Sequence, residues 1–197
     1  MINQLRQRLA IYKPRLITAR KPQASVLIAL TNEPDPHVIL TRRSAKLSTH
    51  SGEVAFPGGK QDVTDPDLKF TALREAEEEV GLLPHRVEIL AQLGQVVSLH
   101  QVVVTPWVGI VEPDEPLTAN LDELDEIFRV PLSFFMQDTR HHTDEILFKG
   151  KTRYVPAYQY DGHIIWGLTA FMLVELLNVG LDAGIPMKPR PEHESDC

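Results

Sequence analysis

The clearest periodic pattern in the chain lies between Asp65 and Gly81. Its apolar positions fall on one side of a helix when each residue is turned by about 100°. Asp65 suits the N-cap, Pro66 the first helical position and Gly81 a left-handed C-cap. The pattern therefore predicts an amphipathic helix that packs on a sheet through these inner positions: the stem of Lys69, Ala72, Leu73, Ala76 and Val80.

Short β-branched and aliphatic runs stand on both sides of this helix and predict strands. Upstream, the runs cover residues 24–30, 37–41 and 52–56, and a proline-rich turn joins the first two. Downstream, residues 86–97 and 101–111 have the pattern of two long strands. Pro106 cannot donate a backbone hydrogen bond, so we expect the second of these to be an edge strand or to be bulged there.

The remaining segments predict short elements at both ends of the chain. An N-terminal helix over residues 1–12 would bury Ile2, Leu5 and Leu9, and the tail from Pro186 is expected to fray. The later pattern predicts a strand at 126–130, a short helix at 132–136, a hairpin of 145–149 with 152–160, a run at 163–166 and a largely buried helix at 168–179. We therefore expect a single α/β domain over residues 1–197, with a mixed sheet between helices.

Composition narrows the class of function. The chain has 197 residues and a net charge of −7, whereas proteins that grip nucleic-acid backbones are usually basic, so we expect no nucleic-acid partner. No apolar run approaches the ~18 residues of a membrane span. Cys197 is the only cysteine, which excludes an intrachain disulfide and favours a reducing, cytoplasmic setting. Basic residues near the start also occur in organelle transit peptides, but Pro14 and Pro22 favour a short amphipathic helix.

Three carboxylates share a second side of the predicted helix. Glu75, Glu78 and Glu79 stand at i, i+3 and i+4, where like charges repel one another, and Arg74 can relieve only part of this repulsion. In an arbitrary glutamate-rich helix such a cluster would be a solvated face. Here the helix follows a Phe-Pro-Gly-Gly turn at residues 56–59, which can bring backbone carbonyl groups close to it. Because hard divalent cations prefer oxygen ligands, the combination predicts a metal site.

Residues 59–82 resemble the Nudix box, whose pattern is G-x5-E-x7-R-E-U-x-E-E-x-G-U with U a bulky aliphatic residue. Gly59 matches the first glycine, and residues 74–82 match the end of the pattern. Asp65 stands where the first glutamate belongs, and one extra residue separates it from Arg74. The resemblance implies an α/β/α sandwich and a diphosphate hydrolase. It also implies Mg²⁺ or Mn²⁺ held by Glu75, Glu78 and Glu79, with the carbonyl of Gly58 or Gly59 as a further ligand.

Residues 39–59 resemble the extra motif of the coenzyme A pyrophosphatase branch of this family, L-L-T-x-R-[SA]-x3-R-x3-G-x3-F-P-G-G. Thr41, Arg43 and Ser44 are in register, whereas Ser48 stands where the pattern has arginine. Residues 165–170 also resemble a segment of this branch. The resemblance implies coenzyme A as the small-molecule substrate. Our candidates for binding it are Arg42, Arg43, Lys46 and His50, and the alternative is that these side chains solvate an exposed loop.

The implied reaction is attack of water on one phosphorus of a diphosphate, with Arg74 orienting the glutamates. The general base is left open between Glu79, a metal-bound hydroxide and a glutamate from a later loop. Among the later glutamates we favour Glu123, because it closely precedes the strand at 127–130. The other candidates are Glu112, Glu115 and Glu126.

Two other functions remain open. The Ser48 departure keeps open a Nudix pyrophosphatase for another nucleoside diphosphate derivative, such as ADP-ribose, NADH or a damaged nucleotide. A nucleotide-binding module without turnover is disfavoured, because it would have no reason to keep mutually repelling acids next to Arg74. We expect Trp107 and Trp166 to lie in the core rather than to stack on a base. The sequence leaves the oligomeric state open.

Overall fold

A mixed β-sheet lies between two layers of helices, so the chain forms an α/β/α sandwich. The computed structural model describes residues 1–18, 21–46, 52–148 and 150–187. The helices of this part are α1 (Ile2–Ile11), α2 (Leu68–Val80), α3 (Leu132–Met136) and α4 (Gly167–Leu181), with a 3₁₀ turn at Pro84–Arg86. The strands are β1 (Gln23–Thr31), β2 (His37–Arg43), β3 (Val54–Ala55), β4 (Gly58–Lys60), β5 (Glu88–Gln92), β6 (Val96–Val97), β7 (Val103–Val111), β8 (Leu124–Pro131), β9 (His142–Phe148), β10 (Lys151–Tyr160) and β11 (His163–Ile165).

Strands β1 and β7 form the centre of the main sheet. They run parallel, in register from Gln23 opposite Val103 to Thr31 opposite Val111. The order is β3-β2-β1-β7-β5, with β4 also on β1, β6 on β7 and β8 on β2, and these other pairs are antiparallel. A parallel pair needs a crossover connection, and α2 lies within it.

Strands β1 and β2 pair near their turn, where Leu30 lies opposite Val38, and then diverge. Strand β3 pairs with the far part of β2, and β4 pairs with the start of β1. The segment from β3 to β4 therefore fills the gap between the two diverging strands. This arrangement holds Gly58 and Gly59 within the sheet, next to α2.

The two faces of the sheet are covered differently. Helix α2 covers one face, where Ala72, Ala76 and Val80 pack against Leu27 and Ile39. Helices α1 and α4 pack together on the other face, which holds the larger apolar cluster. The small sheet β11-β10-β9 lies against α4 on that second side. The acidic side chains of interest belong to the face that α2 covers.

Helix α2 begins two residues later than the sequence predicts. Asp67, not Asp65, is the N-cap, and its carboxylate accepts a hydrogen bond from the Phe70 N–H at 2.7 Å. Lys69 is exposed, so its stem does not join the inner face, and Thr71 is buried there instead. The C-cap prediction is confirmed, because Gly81 has a left-handed φ of 71°.

Strand β7 is an interior strand, so of the two expectations for Pro106, an edge strand or a bulge, the edge strand is wrong. Its pairing with β5 ends at Trp107 and its pairing with β6 resumes at Val104. Pro106 lies opposite the break, where its carbonyl accepts from the Leu93 N–H at 2.9 Å. A residue without an N–H cannot continue the ladder, and the strand predicted over 86–97 is therefore divided into β5 and β6.

Smaller corrections concern the ends of elements and one aromatic residue. Of residues 52–56, only Val54–Ala55 (β3) form a strand, and the sheet resumes at β4. Trp166 is 42% exposed rather than part of the core, whereas Trp107 packs against the cluster under α2. The tail beyond Met187 lies outside the described residues. Within those residues, no helix combines the length and the apolar character that crossing a membrane requires.

Candidate active site

The C-terminal end of α2 is fixed by backbone hydrogen bonds from a later loop. The Thr118 N–H donates to the Val80 carbonyl and the Asn120 N–H donates to the Glu79 carbonyl, each at 2.9 Å. Carbonyl groups of a last helical turn have no partner within the helix, and these bonds satisfy two of them. The end of α2 and the loop at 118–124 are therefore held together, with the glutamates of α2 beside both.

The three glutamates of α2 differ in burial. Glu79 is 2% exposed, whereas the side chains of Glu75 and Glu78 are 16% and 54% exposed. Glu79 Oε2 accepts a hydrogen bond from the Gly58 N–H at 3.1 Å, and its Oε1 lies 3.8 Å from Arg43 Nη1. The exposure of the predicted acidic face thus decreases from Glu78, which faces solvent, through Glu75 to Glu79, which is buried.

The two glycines of the turn lie too close to their neighbours to have side chains. A Cβ at Gly59 would lie 2.5 Å from the carboxyl carbon of Glu75. A Cβ at Gly58 would lie 2.4 Å from the Ser25 carbonyl oxygen. Backbone atoms exclude a side chain at Gly58, whereas a side chain at Gly59 would displace the Glu75 carboxylate, so the bare backbone of the turn contacts the glutamates directly.

Asp65 is the residue that fixes Arg74. The guanidinium donates two hydrogen bonds to the Asp65 carboxylate, from Nε and Nη2, each at 2.9 Å. The side chain of Asp65 is 1% exposed and also accepts from the Thr71 hydroxyl and the Asp62 N–H. The hydrogen bonds from Arg74 are the main reason that the pKa of Asp65 lies well below its usual range. The residue that departs from the sequence pattern is therefore part of the support of the site.

The other donors of Arg74 face the glutamates. Its Nη1 lies 3.0 Å from Glu75 Oε1 and donates to Glu78 Oε2 at 3.0 Å. Its Nη2 also donates to the Lys60 carbonyl at 3.2 Å. The hydrogen bonds with Asp65 raise the pKa of Arg74, and the charge of Glu75 and the hydrogen bond to Glu78 act in the same direction. Arg74 thus orients two of the three glutamates.

Burial raises the pKa values of the two inner glutamates. It raises the pKa of Glu79 to about 7, although the Gly58 N–H and the charge of Arg43 act in the opposite direction. Burial also raises the pKa of Glu75, against the lowering effect of Arg74. The negative charge of Glu123 contributes to both increases. These raised pKa values indicate that the nearby cations do not fully compensate the negative charge at the centre of the cluster.

Glu123 reaches this cluster from the loop that binds the end of α2. Its carboxylate accepts from Asn120 Nδ2 at 3.3 Å, and its carbonyl accepts from the Ser44 N–H at 2.8 Å. The other glutamates considered as bases have different surroundings: Glu112 lies beside Asn32, Glu115 is buried in its own turn, and Glu126 binds Arg42 and His163. Of these four, Glu123 is the one whose charge acts on Glu75 and Glu79.

The oxygen atoms of the cluster suit a hard cation, although the carboxylates do not converge on one point in this structure. Among the residues that the structure describes, no three acidic, histidine or cysteine side chains lie close enough to hold a metal ion. The glutamates contact Arg43 and Arg74 instead. The donors are oxygen atoms, which Mg²⁺ and Mn²⁺ prefer. The raised pKa values of Glu75 and Glu79 indicate that an added positive charge would be favourable there.

The predicted basic residues do not form one cluster. Successive side chains of a strand point to opposite faces, and β2 accordingly separates Arg42 from Arg43. Arg43 faces Glu79, whereas Arg42 Nη2 lies 3.6 Å from Glu126 on the other face. Lys46 is exposed. The structure therefore brings only Arg43 to the acidic cluster among these three residues.

Two positions named in the sequence analysis, Ser48 and His50, lie outside the described residues. The structure adds two residues that the sequence analysis did not single out. Asn120 connects Glu79 to Glu123, and His163 stacks on Phe128 and binds Glu126. No local sequence signal marks either residue, because each depends on a contact between distant segments.

Comparison with known proteins gives consistent matches. A family model described as the NUDIX domain matches residues 21–148. A protein of Salmonella newport (strain SL254) named "Uncharacterized Nudix hydrolase NudL" is 38% identical over 183 residues, 91% of this chain and 95% of that protein. Its namesake from Shigella sonnei (strain Ss046) is 39% identical over 184 residues, 92% of this chain and 96% of that protein.

Solved structures are similar in fold at lower identity. A MutT/nudix family protein from Enterococcus faecalis aligns with a TM-score of 0.57 and 16% identity, over 86% of this chain and 66% of that one. A Nudix hydrolase from M. smegmatis, RenU, aligns with a TM-score of 0.55 and 19% identity, over 86% of this chain and 91% of that one. At these identities the likeness concerns the fold alone.

Proposed function

Because this chain belongs to the Nudix family and is one of its hydrolases, acting on phosphorus-containing anhydrides, we propose that it cleaves the diphosphate of coenzyme A and of acyl-coenzyme A. The products are 3′,5′-ADP and 4′-phosphopantetheine or its acyl form. The proposal depends on one observation above all. The segment at 39–59, which resembles the coenzyme A motif, provides β2, β3 and the glycine turn that border the acidic cluster.

Several positions of that motif make contacts that support the proposal. Arg43 faces Glu79, the Ser44 N–H binds the carbonyl of Glu123, and the Gly58 N–H binds Glu79. Arg43 Nε is buried and has no hydrogen-bond partner among the residues that the structure describes. The Arg43 side chain as a whole is 28% exposed, so its guanidinium remains accessible beside the acids, and its planar fork suits a phosphate oxygen.

The third phosphate of coenzyme A needs a cation of its own. Arg42 lines a cavity of about 600 Å³ on the other face of β2, together with His163 and Trp166. Arg42 Nε is also buried and has no hydrogen-bond partner within the described part of the chain. We assign Arg42, with the exposed Lys46, to the 3′-phosphate, and His50 to a supporting hydrogen bond.

The chemistry at the diphosphate follows from the charges of the site. Glu75, Glu78 and Glu79, with the carbonyl of Gly58 or Gly59, would hold Mg²⁺ or Mn²⁺, and a cation there screens the negative charge of the diphosphate. The contacts of Arg74 with Glu75 and Glu78, each at 3.0 Å, support this assignment. Because the pKa values of Glu75 and Glu79 are raised without a cation, a metal ion held there would compete with protons for these carboxylates.

The chain's own groups then act on water and the diphosphate. Water attacks one phosphorus, the bond from that phosphorus to the bridging oxygen breaks, and the departing phosphate keeps the electron pair. Glu123 accepts the proton that the water loses, since its carboxylate is near Glu75 and Glu79 and is held by Asn120. Arg43 pairs with the phosphate charge that grows during bond breaking.

A second candidate function is a Nudix pyrophosphatase for another nucleoside diphosphate derivative, such as ADP-ribose or NADH. The observation that favours it is Ser48, which stands where the coenzyme A motif has arginine. ADP-ribose and NADH lack both the 3′-phosphate and the pantetheine arm. A substrate panel therefore separates the two candidates.

The test is product analysis by mass spectrometry. The protein is incubated with coenzyme A, acetyl-coenzyme A, ADP-ribose or NADH, each with Mg²⁺ or Mn²⁺ and again with a chelator. We expect coenzyme A to give 3′,5′-ADP and 4′-phosphopantetheine, and the chelator to stop the reaction. Cleavage of ADP-ribose or NADH without cleavage of coenzyme A would refute the substrate assignment. No cleavage of any diphosphate would favour a binding module.

A further inference from the structure

Asn120 lies at the point where the loop at 118–124 meets the end of α2. Its backbone N–H donates to the Glu79 carbonyl at 2.9 Å. Its own carbonyl accepts from the N–H groups of Glu123 and Leu124, at 3.0 and 2.8 Å. Asn120 therefore binds the backbone of a proposed metal ligand on one side and the backbone of the proposed base on the other.

The backbone of Glu123 is held from two sides, whereas the orientation of its carboxylate depends on Asn120. The Glu123 N–H donates to the Asn120 carbonyl, and the Glu123 carbonyl accepts from the Ser44 N–H at 2.8 Å. Beyond these bonds the glutamate side chain has three rotatable bonds, and ordering it costs conformational entropy. Among the residues that the structure describes, the hydrogen-bond donor to its carboxylate is Asn120 Nδ2, at 3.3 Å.

The orientation of the Asn120 amide follows from a second hydrogen bond. Its Oδ1 accepts from the Asp122 N–H at 3.2 Å, as in an Asx turn. If the amide were turned over, Nδ2 would face this N–H donor, and Oδ1 would face the Glu123 carboxylate. The Asp122 N–H thus directs the amide donor of Asn120 towards Glu123.

We propose that Asn120 is a positioning residue for hydrolysis, whose amide holds the Glu123 carboxylate where it accepts the proton of the attacking water. This inference rests on the role of Glu123 that the proposed function assigns. The amide suits this task because its N–H donates to a carboxylate, whereas an oxygen anion in its place would repel one. The backbone bonds of Asn120 to Glu79 and Glu123 keep the base at a fixed place beside the metal ligands.

Asn120→Asp tests this role with a minimal change of shape. Aspartate retains the backbone bonds and an acceptor for the Asp122 N–H, but it replaces the donor that faces Glu123 with a charged oxygen. We expect kcat at pH 8 to fall about 30- to 100-fold, within the range that a positioned base contributes. KM should change by less than about threefold. The substrate is the diphosphate that the wild type cleaves fastest, and an unchanged kcat would overturn the proposal.

Asn32 provides a matched control. It is exposed, and its Nδ2 lies 3.5 Å from Glu112 Oε1, so Asn32→Asp makes the same exchange beside another glutamate. We expect this variant to keep the kcat and KM of the wild type. Equal losses of kcat in Asn32→Asp and Asn120→Asp would show a general effect of added negative charge and would contradict a specific role of Asn120.

A double variant separates positioning of the base from a merely structural role. Glu123→Gln removes the base, and Asn120→Asp combined with it allows a hydrogen bond in which donor and acceptor are exchanged. We expect the kcat of the double variant to equal that of Glu123→Gln within about twofold, since residues that act as one unit are not additive. A further large loss of kcat would show that Asn120 does not act through Glu123. This comparison does not require Asn120→Asp to be stable on its own.

The same measurements separate this proposal from the substrate assignment. If ADP-ribose or NADH is cleaved and coenzyme A is not, the substrate assignment fails, and the variants decide the role of Asn120 with the substrate that is cleaved. If coenzyme A is cleaved and Asn120→Asp keeps the wild-type kcat, the substrate assignment stands and the role of Asn120 is refuted. If no diphosphate is cleaved, both proposals fail.

Discussion

Two arginines border the acidic cluster and use their donors in different ways. Arg74 makes two hydrogen bonds to buried Asp65, contacts Glu75 and Glu78 at 3.0 Å, and binds a backbone carbonyl. Arg43 Nη1 lies 3.8 Å from Glu79 Oε1, and its buried Nε has no hydrogen-bond partner in the ranges that the structure describes. Arg74 would have to break existing bonds to bind a substrate, whereas Arg43 would gain a partner. Proximity to the acids is therefore a weaker guide to substrate binding than the number of unused donors.

Alanine substitutions separate these two roles and have the largest expected effect. Arg43→Ala should lower kcat/KM for coenzyme A about 100-fold, because a donor to the developing phosphate charge is lost. Its melting temperature should stay close to that of the wild type. Arg74→Ala should lower the melting temperature by several degrees, because Asp65 is left buried without its cation. Calorimetry and steady-state kinetics on both variants provide the measurements.

A reversed pattern would overturn this division of roles. If Arg43→Ala lost stability and kept its activity, Arg43 would be a structural residue. If Arg74→Ala kept its melting temperature, the Asp65–Arg74 pair would not support the site. Arg86→Ala is the matched control, because Arg86 is exposed and lies in the 3₁₀ turn away from the acids.

A smaller effect concerns the dependence of stability on pH. The pKa of Glu79 is about 7 in the folded protein and near 4.5 for an ordinary glutamate, so between these values the folded state binds a proton that the unfolded state does not. Raising the pH through this window therefore destabilises the wild type without metal. The side chain at position 79 cannot titrate in Glu79→Gln. The free energy of unfolding of this variant, relative to that of the wild type, should therefore rise by about 1–3 kcal/mol between pH 5 and pH 8.

Urea unfolding at both pH values, with a chelator present, measures this difference. Glu77→Gln is the matched control, since Glu77 is an exposed glutamate of the same helix. The control should follow the wild type at both pH values. A stability difference between Glu79→Gln and the wild type that stays constant with pH would contradict a raised pKa at Glu79.

The sequence predicts local features of this molecule better than long-range ones. Gly81 as the C-cap and the inward face of Ala72, Ala76 and Val80 follow from local rules and are confirmed. The predicted N-cap is wrong because both Asp65 and Asp67 suit a cap by residue type. The buried pairing of Asp65 with Arg74 leaves Asp67 as the cap, and this pairing is visible only in the fold.

The long-range features have no local signal. Pro106 was expected at an edge or bulge because its missing N–H cannot complete a ladder, but a break between β5 and β6 accommodates it within the sheet. The parallel pairing of β1 with β7 joins distant segments. For the same reason, the sequence could name Glu123 among four candidates, whereas its electrostatic effect on Glu75 and Glu79 becomes visible only in the fold.

Metal binding without substrate tests the central claim most directly. Mn²⁺ is titrated at pH 8 into the wild type, Glu79→Gln and Glu77→Gln, and the free ion is measured by electron paramagnetic resonance. If the glutamates of α2 hold the cation, Glu79→Gln should bind Mn²⁺ at least about 10- to 100-fold more weakly, and Glu77→Gln should bind it as the wild type does. Equal affinity in all three proteins would contradict a metal site at this cluster.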